Sequence, residues 1–148
     1  MIQTPIFDTD SHVNEPPSTW QDRLPKSLKE KGPRIIELSG GDQGWIVEDK
    51  PPKKVDSPGS TLANLALKVG GMKNVTAEMA AKELHGKPKR FDSYRKGNYE
   101  TKARLADMDI DGVETSVLYP GFGSGMWDIS DPDLRVASMR AYNDWLIE

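Results

Sequence analysis

The 148-residue chain contains no cysteine, only two histidines and no long apolar run. Without cysteine there can be no disulfide framework and no thiolate metal site. No stretch approaches the roughly 18 apolar residues that a membrane-spanning helix needs, and the N-terminus lacks the features of a secretory signal. We therefore expect a cytoplasmic protein with no membrane partner.

The sequence also has no large excess of positive or negative side chains. Twenty Lys and Arg stand against 23 Asp and Glu, which gives a formal net charge of −3. Nucleic-acid binding is driven by clustered basic side chains that displace counterions from phosphates. The basic run over residues 87–96 carries two aromatic residues, but nothing else in the sequence supports such binding. We expect no nucleic-acid partner.

Regular patterns are strongest at the two ends of the chain. Alternation predicts a strand from Pro5 to Val13 that presents Asp8, Asp10 and His12 on one face. Near the other end, helical spacing over 99–108 leads through Asp111-Gly112 to a predicted strand over 113–119. A glycine-rich loop over 120–125 follows, and Asp131-Pro132 predicts the start of a last helix. These segments supply two predicted strands and two predicted helices.

The middle of the chain, residues 14 to about 98, is predicted to be a long excursion. A short helix is expected over residues 18–24, with a second turn over 26–31. Apolar runs at 35–38 and 45–47 flank glycines and predict a hairpin. A mobile loop over 51–60, helical spacing over 62–69 and a solvated loop over 82–96 complete this segment. We expect His85, in the last of these loops, to be a surface residue.

The segment Asp10-Ser11-His12 has a chemical meaning beyond packing. Residues two apart on a strand project side by side, so that a carboxylate oxygen and an imidazole nitrogen can reach one cation. This donor pair suits zinc, manganese or iron. The alternative is that Asp10 caps a turn and His12 makes a structural hydrogen bond.

Four segments together resemble the amidohydrolase-related family of metal-dependent hydrolases and decarboxylases, which includes aminocarboxymuconate-semialdehyde decarboxylase and resorcylate-type decarboxylases. The matching segments are IFDTDSHVNEPP at 6–17, RLADMDIDGV at 104–113, DP at 131–132 and AYNDW at 141–145. The resemblance implies a (β/α)8 barrel whose first strand ends in two metal ligands, commonly His-x-His. In this sequence Asp10 takes the first ligand position and His12 the second.

A complete barrel of this kind takes about 250 residues. We therefore interpret residues 1–148 as the N-terminal part of a metal-dependent hydrolase barrel, an incomplete fold with the first two barrel strands and an inserted excursion at 14–98. The resemblance implies that the remaining metal ligands lie on later strands. Zinc is the first expectation for the divalent metal, with manganese or iron as alternatives.

The expected activity is hydrolysis or decarboxylation of a small carboxylate-bearing or cyclic substrate. Trp20, Tyr119 and Phe122 flank the loops after the two strands and are candidate substrate-binding residues, with packing of those loops as the alternative. No residue is assigned as general acid or base. Exposed strand edges predict a homo-oligomer. The rival interpretation is a non-catalytic module for self-association or partner binding.

Overall fold

The computed structural model describes residues 4–55, 62, 65–66, 69–85 and 89–148. Its contacts divide the chain into two units, one built from residues 1–34, 47–49 and 94–148, the other from 35–46 and 50–93. The described helices and strands are, in chain order, β1 (Ile6–His12), α1 (Ser18–Gln21), β2 (Arg34–Glu37), β3 (Gln43–Ile46), β4 (Lys53–Lys54), α2 (Ala77–His85), α3 (Thr101–Asp111), β5 (Val113–Tyr119) and α4 (Pro132–Ile147).

The first unit is organised by a parallel pairing of the two terminal strands, which form a two-stranded sheet. His12 lies opposite Tyr119, and the ladder continues where the Val13 amide donates to the Tyr119 carbonyl at 3.0 Å. Helix α3 leads into β5 through Gly112, whose φ of 71° is the left-handed conformation that usually ends a helix. The C-terminal ends of β1 and β5 therefore lie side by side.

Helix α4 supplies much of the core of the first unit. The Asp131 side chain caps it, accepting from the amides of Asp133 and Leu134, and Pro132 occupies the first turn, as the sequence predicts. The buried apolar residues of this unit are Val13, Trp20, Leu24, Met126, Ile129, Leu134, Ala141 and Tyr142. None of the described helices is both long and apolar enough to span a membrane.

The parallel pair itself remains open to solvent. Ile6 and Phe7 on β1 are 50% and 60% exposed, and Val117 on β5 is 45% exposed. Parallel strands are almost always covered on both faces, because their crossover connections place helices there. The exposed apolar side chains show that the described residues cover this sheet only in part.

The second unit contains a three-stranded sheet in the order β2-β3-β4, with β3 and β4 antiparallel. The turn between β2 and β3 passes through Gly40 and Gly41, both at positive φ, at the position predicted for the hairpin. Trp45 on β3 is 4% exposed and lies in the core of this unit. All of these strands fall within the segment that we predicted as an excursion.

Several predicted elements differ from the structure. The helix expected over 18–24 ends at Gln21, since Pro25 disfavours helical geometry in the residue before it, and residues 26–31 form turns. Helix α2 occupies residues 82–85, where a loop was predicted, and a 3-10 helix, Phe122–Asp128, follows the glycine-rich turn. Strand β4 interrupts the predicted loop at 51–60. Residues 56–61, 63–64 and 67–68 lie outside the described residues, whereas Leu62, Leu65 and Ala66 of the predicted helical spacing are helical.

Candidate metal site at the ends of the parallel strands

Asp10 and His12 lie together at the C-terminal end of β1. The Asp10 Oδ1 atom is 3.6 Å from His12 Nε2, and the two side chains are 83% and 60% exposed. The strand is irregular here, because the register with β5 shifts between Asp8 and Ser11. The Asp10 amide donates to Asp8 Oδ1 at 3.1 Å across this irregularity. Bulges of this kind redirect side chains, and this one lies beside the predicted ligand pair.

The second ring nitrogen of His12 identifies the tautomer that this geometry favours. His12 Nδ1 lies 3.2 Å from the Pro120 carbonyl oxygen. A carbonyl oxygen can only accept, so Nδ1 must carry the proton in this hydrogen bond. In the neutral ring Nε2 then has a lone pair, and Asp10 Oδ1 lies 3.6 Å away. A proton, a water molecule or a metal ion between two such acceptors satisfies both of them.

Asp10 and His12 together offer two of the four donors around a tetrahedral zinc ion. Two atoms bound to one tetrahedral zinc ion at their usual distances lie about 3.3 Å apart, close to the observed separation of Asp10 Oδ1 and His12 Nε2. Catalytic zinc usually has three protein ligands. In the part of the chain that the structure describes, no cluster of three His, Asp or Glu residues could hold a metal. His85, the other histidine, is exposed at the end of α2.

Sequence reasoning missed Glu15, which follows His12 by three residues and is 1% exposed. Its Oε1 accepts from the amides of Gly121 and Gly123, both at 3.1 Å, and its Oε2 accepts from the Phe122 amide at 3.0 Å. Burial raises the pKa of the Glu15 carboxyl, while the backbone hydrogen bonds oppose that shift. In the sequence, Glu15-Pro16-Pro17 indicated only the end of a strand.

Arg104 on α3 is a second residue that the site analysis missed. Its guanidinium donates to Ser11 Oγ at 3.1 Å and to the His12 carbonyl at 2.6 Å. Partial burial lowers the pKa of Arg104, and the charges of Asp8 and Asp107 oppose this. The segment 104–113 carried the resemblance in the sequence, but no local pattern indicated that its first residue reaches β1. The contact holds the end of β1 against α3.

The three candidate substrate-binding residues have different surroundings. Tyr119 is 46% exposed, and its ring centroid lies 5.9 Å from that of His12. Trp20 is fully buried, donates from Nε1 to the Ser138 carbonyl at 3.2 Å, and meets the ring of half-buried Phe122 edge-on at 5.6 Å. The structure therefore brings Tyr119 beside His12 and includes Trp20 in the core.

Comparisons with known proteins identify the fold. No family model matches the chain, and no curated protein matches it in sequence. The chain is similar in structure to an amidohydrolase from Mycobacterium avium subsp. paratuberculosis K-10, with a TM-score of 0.65 and 24% sequence identity. The similarity covers 99% of this chain and 38% of that one. On this basis the chain has a mixed α/β fold that is shared with part of an amidohydrolase.

Proposed function

We propose that this chain supplies part of the metal site of a metal-dependent hydrolase or decarboxylase of the amidohydrolase type. The observation that carries the proposal is the side-by-side position of Asp10 Oδ1 and His12 Nε2, 3.6 Å apart, at the C-terminal end of a parallel strand. In parallel α/β folds, ligands bind at the carboxyl ends of the strands. The fold shared with an amidohydrolase supports the same interpretation.

Asp10 would bind the metal through Oδ1 and His12 through Nε2. A bound divalent ion, zinc or alternatively manganese or iron, would lower the pKa of a coordinated water or polarise a carboxylate-bearing substrate. The exposed ring of Tyr119 lies beside His12, where it could contact a small cyclic substrate. The further ligands would have to come from outside the described residues, which contain no cluster of three metal-binding side chains. The chain spans 38% of the matched amidohydrolase, so the whole reaction belongs to this proposal.

Zinc binding to four chains tests the proposal. The chains are the wild type, Asp10→Ala, His12→Ala and His85→Gln, and the last is the control because it removes the other histidine of the sequence. Isothermal titration with zinc should give the same affinity for the wild type and His85→Gln. Loss of one of two protein ligands should weaken binding about tenfold or more. Equal binding by all four chains would refute a site at Asp10 and His12.

Self-association is a second candidate function, favoured by the exposed apolar side chains of the first unit. Besides Ile6 and Phe7 on β1, helix α3 exposes Leu105 by 55% and Ile110 by 78%. Covering such surfaces removes apolar area from water and stabilises a complex by about 25 cal/mol per Å² before the entropy of association is subtracted. We expect a homo-oligomer in size-exclusion chromatography with light scattering. A monomer at all concentrations would count against this candidate.

A further inference from the structure

A single peptide unit joins the buried Glu15 to the candidate metal ligand His12. The Pro120 carbonyl oxygen accepts from His12 Nδ1 at 3.2 Å, and the amide of the same peptide unit, that of Gly121, donates to Glu15 Oε1 at 3.1 Å. In a planar trans peptide the carbonyl and the amide point in opposite directions. The Glu15 carboxylate therefore contacts one side of this peptide plane and the His12 imidazole contacts the other. A rotation of the plane would change both hydrogen bonds.

Glu15 holds this plane in one orientation. Its carboxylate also accepts from the amides of Phe122 and Gly123, so that three successive N–H groups converge on it in a buried position. Hydrogen bonds to an ionised carboxylate are stronger than those between neutral groups. A change in the carboxylate position would therefore move all three amides, including the one whose peptide bears the Pro120 carbonyl.

The backbone of Val13, just after β1, lies close to the same peptide. A Cβ atom added to Gly121 would lie 2.4 Å from the Val13 carbonyl oxygen, a distance that no side chain can occupy. The absence of a side chain at this residue lets the turn after β5 approach β1 closely enough for the His12 hydrogen bond to form. The contact thus depends on both the carboxylate and this close approach.

We propose that Glu15 is a positioning residue of the candidate metal site: through the Pro120–Gly121 peptide it holds His12 in the tautomer with the proton on Nδ1, which leaves Nε2 free to bind a metal. The proposal rests on the proposed function, because it assumes that His12 is a ligand. Histidines that bind metals generally donate their second N–H to a carbonyl or carboxylate, which selects the tautomer. Here a buried carboxylate, three residues along the chain, orients that carbonyl.

The test measures the tautomer of His12 without metal. The ring nitrogens of the full-length, ¹⁵N-labelled chain are observed by NMR at about pH 8.5, where an ordinary imidazole is neutral. His85→Gln assigns the signals, since it leaves His12 as the sole histidine. The variants are Glu15→Ala, which removes the acceptor of the Gly121 amide, and Gly123→Ala, whose added Cβ would lie 2.6 Å from Glu15 Oε1. Asp131→Ala is the control, because its side chain accepts from the Asp133 and Leu134 amides at the start of α4.

In the wild type and in Asp131→Ala we expect Nδ1 to carry the proton. Loss of one neutral hydrogen bond should lower the ratio of the two tautomers about fivefold in Glu15→Ala and in Gly123→Ala. A wild type with the proton mainly on Nε2 would overturn the proposal, as would a folded variant that keeps the wild-type ratio. If Glu15→Ala does not fold, Gly123→Ala decides. Failure of zinc to bind would leave this result intact and would refute only the proposed function.

Discussion

Two opposing effects act on the pKa of Glu15, and replacement of Glu15 by glutamine tests which of them is larger. The measurement is the pH dependence of the free energy of unfolding. Burial of the carboxylate, which is 1% exposed, disfavours its charge. The three backbone N–H groups that it accepts favour the charge. The net effect is a pKa raised above the ordinary value of 4.5, with burial as the largest cause.

The sign of the pH effect follows from proton linkage. Between 4.5 and the raised pKa, native Glu15 still holds a proton that the unfolded chain has released. The free energy of unfolding therefore contains a contribution from Glu15 that is fully present below 4.5 and is lost as the pH rises through the folded-state pKa. Glutamine does not titrate, so the difference between the wild type and Glu15→Gln isolates this contribution from all other groups.

The size of the substitution effect follows from the hydrogen bonds. A glutamine oxygen can replace Oε1 and accept from Gly121 and Gly123. The glutamine NH₂ group then lies beside the Phe122 amide, and because both groups are donors, no hydrogen bond forms between them. One lost hydrogen bond with a buried unsatisfied donor costs about 2 kcal/mol. Glu15→Ala, which leaves all three amides without the carboxylate, should cost about 4 kcal/mol.

Urea unfolding, followed by tryptophan fluorescence at a series of pH values from about 4 to 8, measures these differences. We expect Glu15→Gln to be less stable than the wild type by about 2 kcal/mol at the acid end, and by less at the neutral end. A penalty that grows as the pH rises would refute the reasoning. It would show that the three amides lower the pKa of Glu15 by more than burial raises it.

Three other substitutions test the packing around the site, each by the same urea assay. Trp20→Ala should cost about 4 kcal/mol, because the indole is fully buried, and a near-neutral effect would contradict its place in the core. Gly121→Ala should cost about 2 kcal/mol, because the added Cβ would collide with the Val13 carbonyl. Gly125→Ala is the control and should be neutral, since a Cβ there meets nothing within 4 Å. Equal costs would disprove the close approach of Gly121 to Val13. Gly112→Ala should cost about 1 kcal/mol because its φ of 71° is unfavourable for alanine, and a stabilised variant would argue against that conformation.

Local signals in the sequence determined the elements that build the first unit. Alternation predicted β1 within one residue at each end, and the apolar run after Gly112 predicted β5 with the observed bounds. Asp131-Pro132 predicted the start of α4, because capping depends on side chains next to the amides that they satisfy. The same alternation predicted Asp10 and His12 as neighbours, and the structure places Asp10 Oδ1 3.6 Å from His12 Nε2.

Tertiary structure alone decided what surrounds that pair. Glu15 and Gly121 are 106 residues apart in sequence, and His12 and Pro120 are 108 apart, so that no local pattern could reveal either contact. The parallel pairing of β1 with β5 creates both, because it brings the turn after β5 against the end of β1. It likewise joins Arg104 to the His12 carbonyl, while the packing of α1 against α4 buries Trp20. The sequence by itself determined that Asp10 and His12 would be neighbours, since strand geometry is local, and long-range pairing determined which groups hold the imidazole of His12.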